Sequence, residues 1–250
     1  MIDWLWSIGF YTSVIFALVG AVGVVRPLRR VHRGRRLHAA VMLLIGLAAA
    51  YAISRSMPHA QTSAERHAID EFTPTFHFRE HHETTIAAPP ARVFEAIRAV
   101  TADEIALFRT FTWIRRFGRP GPESIMNAPE RQPILDVATK GGFLLLHEAA
   151  PTEIVVGTAV VAPPGTRRPE GFGAEQFKQL RAPGFVLATM NFRVEESGGG
   201  SRVITETRVF ATDQSVLRRF TAYWRVIFPG SAILRITWLR AIKSRAEHAS

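Results

Sequence analysis

The 250-residue chain contains no cysteine. That absence excludes a disulfide framework, a thiolate nucleophile and any thiolate metal site. Other catalytic signatures are missing too: there is no G-x-S-x-G nucleophile elbow, and Gly171 and Gly173 form only a broken G-x-G away from any strand-to-helix turn. Formal charge is absent from two apolar runs near the start, residues 4–25 and 37–53. An ion or proton path through a bilayer would need ionisable groups there, so the runs read as an anchor.

At about 1.5 Å of helix rise per residue, the first run spans roughly 33 Å and the second roughly 25 Å, against a hydrocarbon core of about 30 Å. Residues 1–53 are therefore expected to form a transmembrane helical hairpin. Gly20 and Gly23, and the run Ala48, Ala49 and Ala50, leave room for close helix approach, but small residues are ordinary in membrane spans and the spacing is not G-x-x-x-G. The connector at 26–36, RPLRRVHRGRR, holds Arg26, Arg29, Arg30, Arg33, Arg35 and Arg36, whereas the outer flanks hold only Asp3 and Arg55. This bias predicts a cytoplasmic connector, with the N-terminus and everything after residue 53 on the extracytoplasmic side. The opening Met-Ile-Asp-Trp lacks the basic start of a cleaved signal, and Trp4, Trp6 and Tyr11 resemble an interfacial anchor.

The formal net charge is +10, of which +6 lies in the first 60 residues. Basicity is thus mainly a topology signal. Beyond the connector, Arg115, Arg116 and Arg119, then Arg218, Arg219 and Arg225, are the local basic clusters, and they read as solvated faces or headgroup contacts. No nucleic-acid partner is expected.

Residues 54–74 lack sustained apolar periodicity and read as a linker. Residues 76–87 alternate as a strand with Phe76, Phe78, His82, Thr84 and Ile86 on one face. Pro89-Pro90 ends it, and Val93, Phe94, Ile97 and Val100 then follow a helical spacing. Thr101 with Glu104 makes a capping box for a second helix through about Phe117. Strands are expected at 134–139, 143–149, 153–162, 184–196 and 201–211, with ESGGGS at 196–201 as a hairpin turn. Residues 162–183 form a long loop with a short amphipathic piece at 174–180, suited to a lid or to a surface insertion. A helix capped by Asp213 carries Val216, Leu217, Phe220, Trp224, Ile227 and Phe228, and Pro229-Gly230 is expected to split it before it resumes at 232–247.

The histidines do not make a metal site. His81 and His82 are adjacent and point to opposite faces of a strand, while His77 and His81 share a face about 13 Å apart at about 3.3 Å per residue. His147 and Glu148 fail for the same reason. On the strand at 202–210, Ile204, Glu206, Arg208 and Phe210 share one face and Val203, Thr205, Thr207 and Val209 the other. The second set is easier to bury, so Glu206 and Arg208 are expected as an exposed pair. Turned inward, they would serve acid-base work. Phe143, Tyr223 and Trp224 are placed to border an apolar pocket, with the tyrosine hydroxyl supplying orientation.

The order is strand, two helices, an antiparallel run of strands and a long C-terminal helix, an α+β pattern. The opening phrase TTIAAPPARVFEAI, through Ile86, Ala88, Pro89, Arg92, Val93, Phe94 and Ile97, resembles the START-like superfamily of polyketide cyclases, lipid-transfer domains and the birch pollen allergen. TETRVFATD at 205–213, with the helix that follows, resembles a bacterial, membrane-anchored subgroup. The resemblance covers about residues 75–248. It implies a helix-grip domain, a curved antiparallel sheet around the long helix, in residues 75–250. It also implies a cavity between sheet and helix, bordered by Phe143, Leu145, Val155, Thr189, Phe220, Tyr223 and Trp224.

The expected protein is a two-span bacterial plasma-membrane protein that holds a hydrophobic small molecule or lipid without catalysis, with the bilayer as partner and neither cofactor nor metal. Two other readings stay open: a cyclase- or hydratase-like enzyme using Glu206, Arg208 or Tyr223 on a hydrophobic substrate, and a structural or interaction domain with a filled core.

Overall fold

The computed structural model describes residues 2–25, 33–64 and 67–248. Most of the arginine connector expected at 26–36 lies outside the described residues. The chain divides into two compact units: Met1–Pro58 with Leu217–Pro229, and His59–Val216 with Gly230–Ser250.

In the first unit, α1 (Ile2–Val25) and α2 (Arg33–Arg55) pack together, and both are long and apolar enough to cross a membrane. Leu5, Ile8, Ile15, Leu44 and Leu47 stand exposed. Two glycines set the approach. A Cβ on Gly20 would lie 2.4 Å from the Leu43 backbone nitrogen, and one on Gly46 would lie 2.5 Å from that of Ala17. Each helix thus presents a glycine to the other's backbone.

The second unit begins with β1 (Gln61–Thr62), α3 (Ala68–Phe72) and β2 (Thr75–Phe76), so the stretch expected as a linker carries secondary structure. Next come β3 (Phe78–Ile86), α4 (Pro90–Ala99), α5 (Phe108–Arg115) and α6 (Ile134–Lys140). Then follow β4 (Leu144–Ala149), β5 (Glu153–Val161), α7 (Ala174–Gln179), β6 (Val186–Ser197), β7 (Gly200–Ala211) and α8 (Gln214–His248). Five strands form one antiparallel sheet in the order β3-β7-β6-β5-β4. The α+β class, the antiparallel run and the long C-terminal helix are as expected. Gly198 and Gly199 adopt φ values of 56° and 83°, the left-handed backbone that a two-residue hairpin turn between β6 and β7 requires.

Three elements depart from the sequence reading. Residues 134–140 are a helix, because Ile134, Leu135, Val137 and Ala138 are the buried positions, a helical spacing rather than an alternating one. The Thr101 backbone N–H does donate to Glu104 Oε2 at 2.8 Å, but Thr101 sits in an isolated β-bridge with Pro133, so the box closes a turn and α5 starts only at Phe108. Finally, α8 runs through Pro229 unbroken. The proline forfeits one backbone bond, and apolar burial on both sides outweighs that loss: Trp224 and Phe228 before it, Ala232, Trp238 and Leu239 after it.

The sheet is covered on both faces. Toward the 231–248 part of α8 and toward α4, Ile86, Ile97, Ile154, Val156, Phe192, Val203, Trp238 and Ile242 form the main core. On the opposite face, Ile69 and Phe72 of α3 and Phe177 of α7 pack on Leu146, Val155 and Leu187. The short helix expected as a lid candidate is therefore part of a packed layer. Phe192 is 1 % exposed and its ring lies 5.1 Å from that of Trp238. Phe192→Ala is expected to destabilise the fold by about 3–5 kcal/mol, measured as a lowered denaturant midpoint of the detergent-solubilised chain.

Candidate functional site

β7 is buried on both faces, and each face carries charge. On the α3 side, Glu206 and Arg208 are not an exposed pair: Arg208 is 1 % exposed and Glu206 is also buried. Ser63 and residues 67–76 fold over them. Arg208 donates to Asp70 Oδ1 at 2.6 Å, to the Thr73 carbonyl at 3.0 Å and to Glu206 Oε1 at 2.5 Å, and its guanidinium lies over the Phe76 ring. Arg79 adds a two-point contact to Glu206, at 2.9 and 2.8 Å. Beside it, Asn191 donates to Glu153 at 2.6 Å, Glu153 accepts the Ala68 N–H, and Thr189 donates to Thr73.

Burial alone would raise the Glu206 carboxyl, but the contacts from His81, Arg79 and Arg208 outweigh it and hold the group far below the usual carboxylate range. A carboxylate held so firmly ionised, with every contact to a protein group, neither delivers nor takes up a proton near neutrality. This outer network is structural chemistry.

The opposite face holds a different cluster, directly between the sheet and α8. Strand register puts Glu80, Thr207, Met190 and Val156 in one row. Glu80 is buried; its Oε1 lies 3.0 Å from His82 Nε2, and its Oε2 accepts the Ser231 hydroxyl at 2.8 Å. One turn along α8, the partly buried Arg235 donates to Met190 Sδ and stacks on Trp238, 5.4 Å from the ring centroid. Burial pulls the Arg235 guanidinium down to about 10, against the opposing pull of the Glu80 charge.

Among the described residues, no carboxylate lies within ion-pair distance of Arg235. Two further buried donors in the same neighbourhood, the Thr207 hydroxyl and the Trp238 indole N–H, have no hydrogen-bond partner. Buried polar groups are almost always satisfied, so these two donors call for an acceptor, a water or a ligand group. Ser231, Glu80 and His82 do not form a nucleophilic triad, because the serine hydroxyl donates to the carboxylate rather than to the imidazole. No group of three or more metal-ligating side chains is found among the described residues, and His81 and His82 do face opposite sides, toward Glu206 and Glu80.

The expected cavity residues of the second unit do not converge. Phe143 packs at the margin of the main core, and Leu145 is largely exposed. Val155 and Thr189 lie on the α3 side. Phe220, Tyr223 and Trp224 belong to the 217–229 stretch of the first unit. Glu80, Ser231, Arg235 and Thr207, the residues that do come together, were not singled out from sequence. A signal was present, however: Glu80 falls on the face otherwise made of Phe78, His82, Thr84 and Ile86, and a lone acid on an apolar strand face marks a buried partner. A separate surface groove of about 520 Å³ is lined by Thr101, Asp103, Glu104, Glu130, Arg131 and Arg245, and its charges are largely answered within it, with Arg245 on Glu104 and Arg109 on Asp103.

No family model and no curated protein matches the chain. Solved structures do. TTHA0849 from Thermus thermophilus matches at 12 % identity over 69 % of this chain and 99 % of its own, with a TM-score of 0.28. Ara h 8.0201 matches at 13 % over 68 % and 97 %, with a TM-score of 0.29. CalU16 from Micromonospora echinospora matches at 14 % over 76 % and 94 %, with a TM-score of 0.26. Likenesses this slight leave the reading of the site to its own geometry.

Because the folded Glu206 pKa is depressed, its stabilisation is fully present above the ordinary glutamate value of about 4.3 and is lost as pH falls below that toward the folded value. Glu206→Gln is expected to cost about 3 kcal/mol at pH 6 and much less at pH 3. Urea midpoints of the two proteins at both pH values test this, and an equal gap at pH 6 and pH 3 contradicts it.

Proposed function

We propose that this chain is a membrane-anchored, START-like binding protein that holds a hydrophobic small molecule or lipid, without catalysis, against the face of the sheet that carries Arg235. One observation carries the reading: the Thr207 hydroxyl and the Trp238 indole N–H are buried without a hydrogen-bond partner beside Arg235, a partly buried cation that donates to a thioether sulfur, on a side of the sheet that also carries the apolar main core. A ligand with an apolar body and an acceptor head, a carboxylate or a phosphate, answers both properties at once. The START-like reading draws its support from the element order, strand, helices, antiparallel strands and long helix.

The anchor fits this role. An apolar ligand partitions into a bilayer, and a tethered site samples that surface at high effective concentration. The arginine bias of the connector supports a cytoplasmic loop, with the second unit outside the cytoplasm.

Native mass spectrometry of the gently extracted protein, with oleate or phosphatidylglycerol added, is expected to show a bound amphiphile. Arg235→Gln removes a charge-assisted contact worth about 1.5–3 kcal/mol, so affinity is expected to fall about tenfold or more. The near-isosteric Thr207→Val is expected to weaken binding less while leaving the fold intact. Ligand-free spectra of the wild type with both probes overturn the reading. For topology, an extracytoplasmic reporter fused after Ser250 is expected to be active, and an inactive reporter on a well-expressed fusion reverses the orientation.

A further inference from the structure

The 217–229 stretch of α8 belongs to the same compact unit as the apolar hairpin. Its contacts to α1 run from the first turn of that helix to Tyr11 in the third. Arg225, itself buried, donates to Asp3 Oδ1 at 3.1 Å and to the Ser56 carbonyl at 3.4 Å, and its guanidinium lies over the Trp6 ring at 5.1 Å. Trp224 donates its indole N–H to the same Asp3 oxygen at 3.2 Å. Phe228 meets Trp4 edge-on at 5.4 Å, and the Tyr11 hydroxyl donates to the Val226 carbonyl at 2.8 Å. Helical side chains lean toward the N-terminus, so the Tyr11 hydroxyl also sits near the early turns.

Those turns have a defined depth if α1 spans. Its 24 residues measure about 36 Å, against a hydrocarbon core of about 30 Å. The first turn therefore emerges at the headgroup level, and what packs on it does too. Within 217–229, Phe220, Trp224 and Phe228, spaced i, i+4 and i+8, form a buried stripe of tilted, neighbouring rings. Arg219, Tyr223 and Val226, spaced i, i+4 and i+7, form an exposed one, with Tyr223 37 % and Val226 46 % exposed and Arg218 beside them. The exposed stripe is basic at one end and apolar-aromatic at the other. It belongs to the same unit as the exposed Leu5 and Ile8 of α1, residues that face lipid in a spanning hairpin.

We propose that residues 217–229 form an interfacial helix, a third membrane element that lies in the headgroup layer, with Tyr223 and Val226 turned to the acyl boundary and Arg218 and Arg219 on anionic headgroups. The proposal rests on the membrane-spanning reading of α1 and α2. Asp3 and Arg225 pin the element to the hairpin, so neither charge is left unpaired at the edge of the apolar layer.

The absence of cysteine makes the test clean. Val226→Cys and, separately, Leu44→Cys each place one spin label on the full chain at an exposed position, in vesicles of phosphatidylcholine and phosphatidylglycerol. Accessibility to oxygen and to a water-soluble nickel chelate reports depth. The Val226 label is expected to favour oxygen over nickel, at a shallower depth than the Leu44 label. A Val226 label as open to nickel as a free label in water, with the Leu44 label embedded, overturns the interfacial helix alone. Both labels open to nickel overturn the spanning hairpin and the interfacial helix together.

Discussion

Arg208 is a cation whose side chain is 1 % exposed, on a strand packed on both faces. An ion there is tolerable only when its donors are answered by acceptors in fixed places. Asp70, Thr73, Ser63 and Glu206 provide them, and the Phe76 ring lies beneath the guanidinium. Three of the four acceptors lie in 63–76, so this one charge dictates that a segment of unremarkable composition must fold over the sheet. The apolar contacts of Ile69 and Phe72 with Phe177 and Val155 then have a geometry in which to form.

The two faces of β7 make an internal comparison. Arg208 on one side has carboxylates at hydrogen-bond distance, and Arg235 facing the other side has sulfur and an aromatic ring. Glu80, the acid whose charge acts on Arg235, is already engaged by His82 and Ser231. The two cations thus differ in their partners, and Glu206 makes a poor acid-base group despite its burial because His81, Arg79 and Arg208 hold it ionised.

Legibility in the sequence followed the strength of local patterning. The hairpin, β3, α4, the β6–β7 turn and α8 were readable because period and punctuation agree there: uninterrupted apolar runs, a proline at a helix start, glycines at a tight turn. Residues 134–140 were misread because seven residues with four apolar positions suit either period, and burial at 134, 135, 137 and 138 decides between them only in three dimensions. Residues 54–74 looked like a tether because their partners are distant in sequence. The break at Pro229 was over-read, since a proline penalty of one bond is small beside the apolar surface flanking it. The site itself was hidden for a related reason. Glu80 and Arg235 are unexceptional in their own windows, and only the register of β3 against β7 and the winding of α8 bring them to one face.

The segment from residue 59 to β3 is synthesised early, yet nearly everything it binds comes late. Arg208 meets Asp70 across 138 positions, Thr189 meets Thr73 across 116, and β3 finds its ladder partner only in β7. Loop closure over such separations is slow, and unpaired strands are exposed while they wait. The first part of the second unit to leave the ribosome is thus among the last to lock. An incomplete chain, stalled before β7, lacks both the strand that β3 pairs with and the guanidinium that answers Asp70.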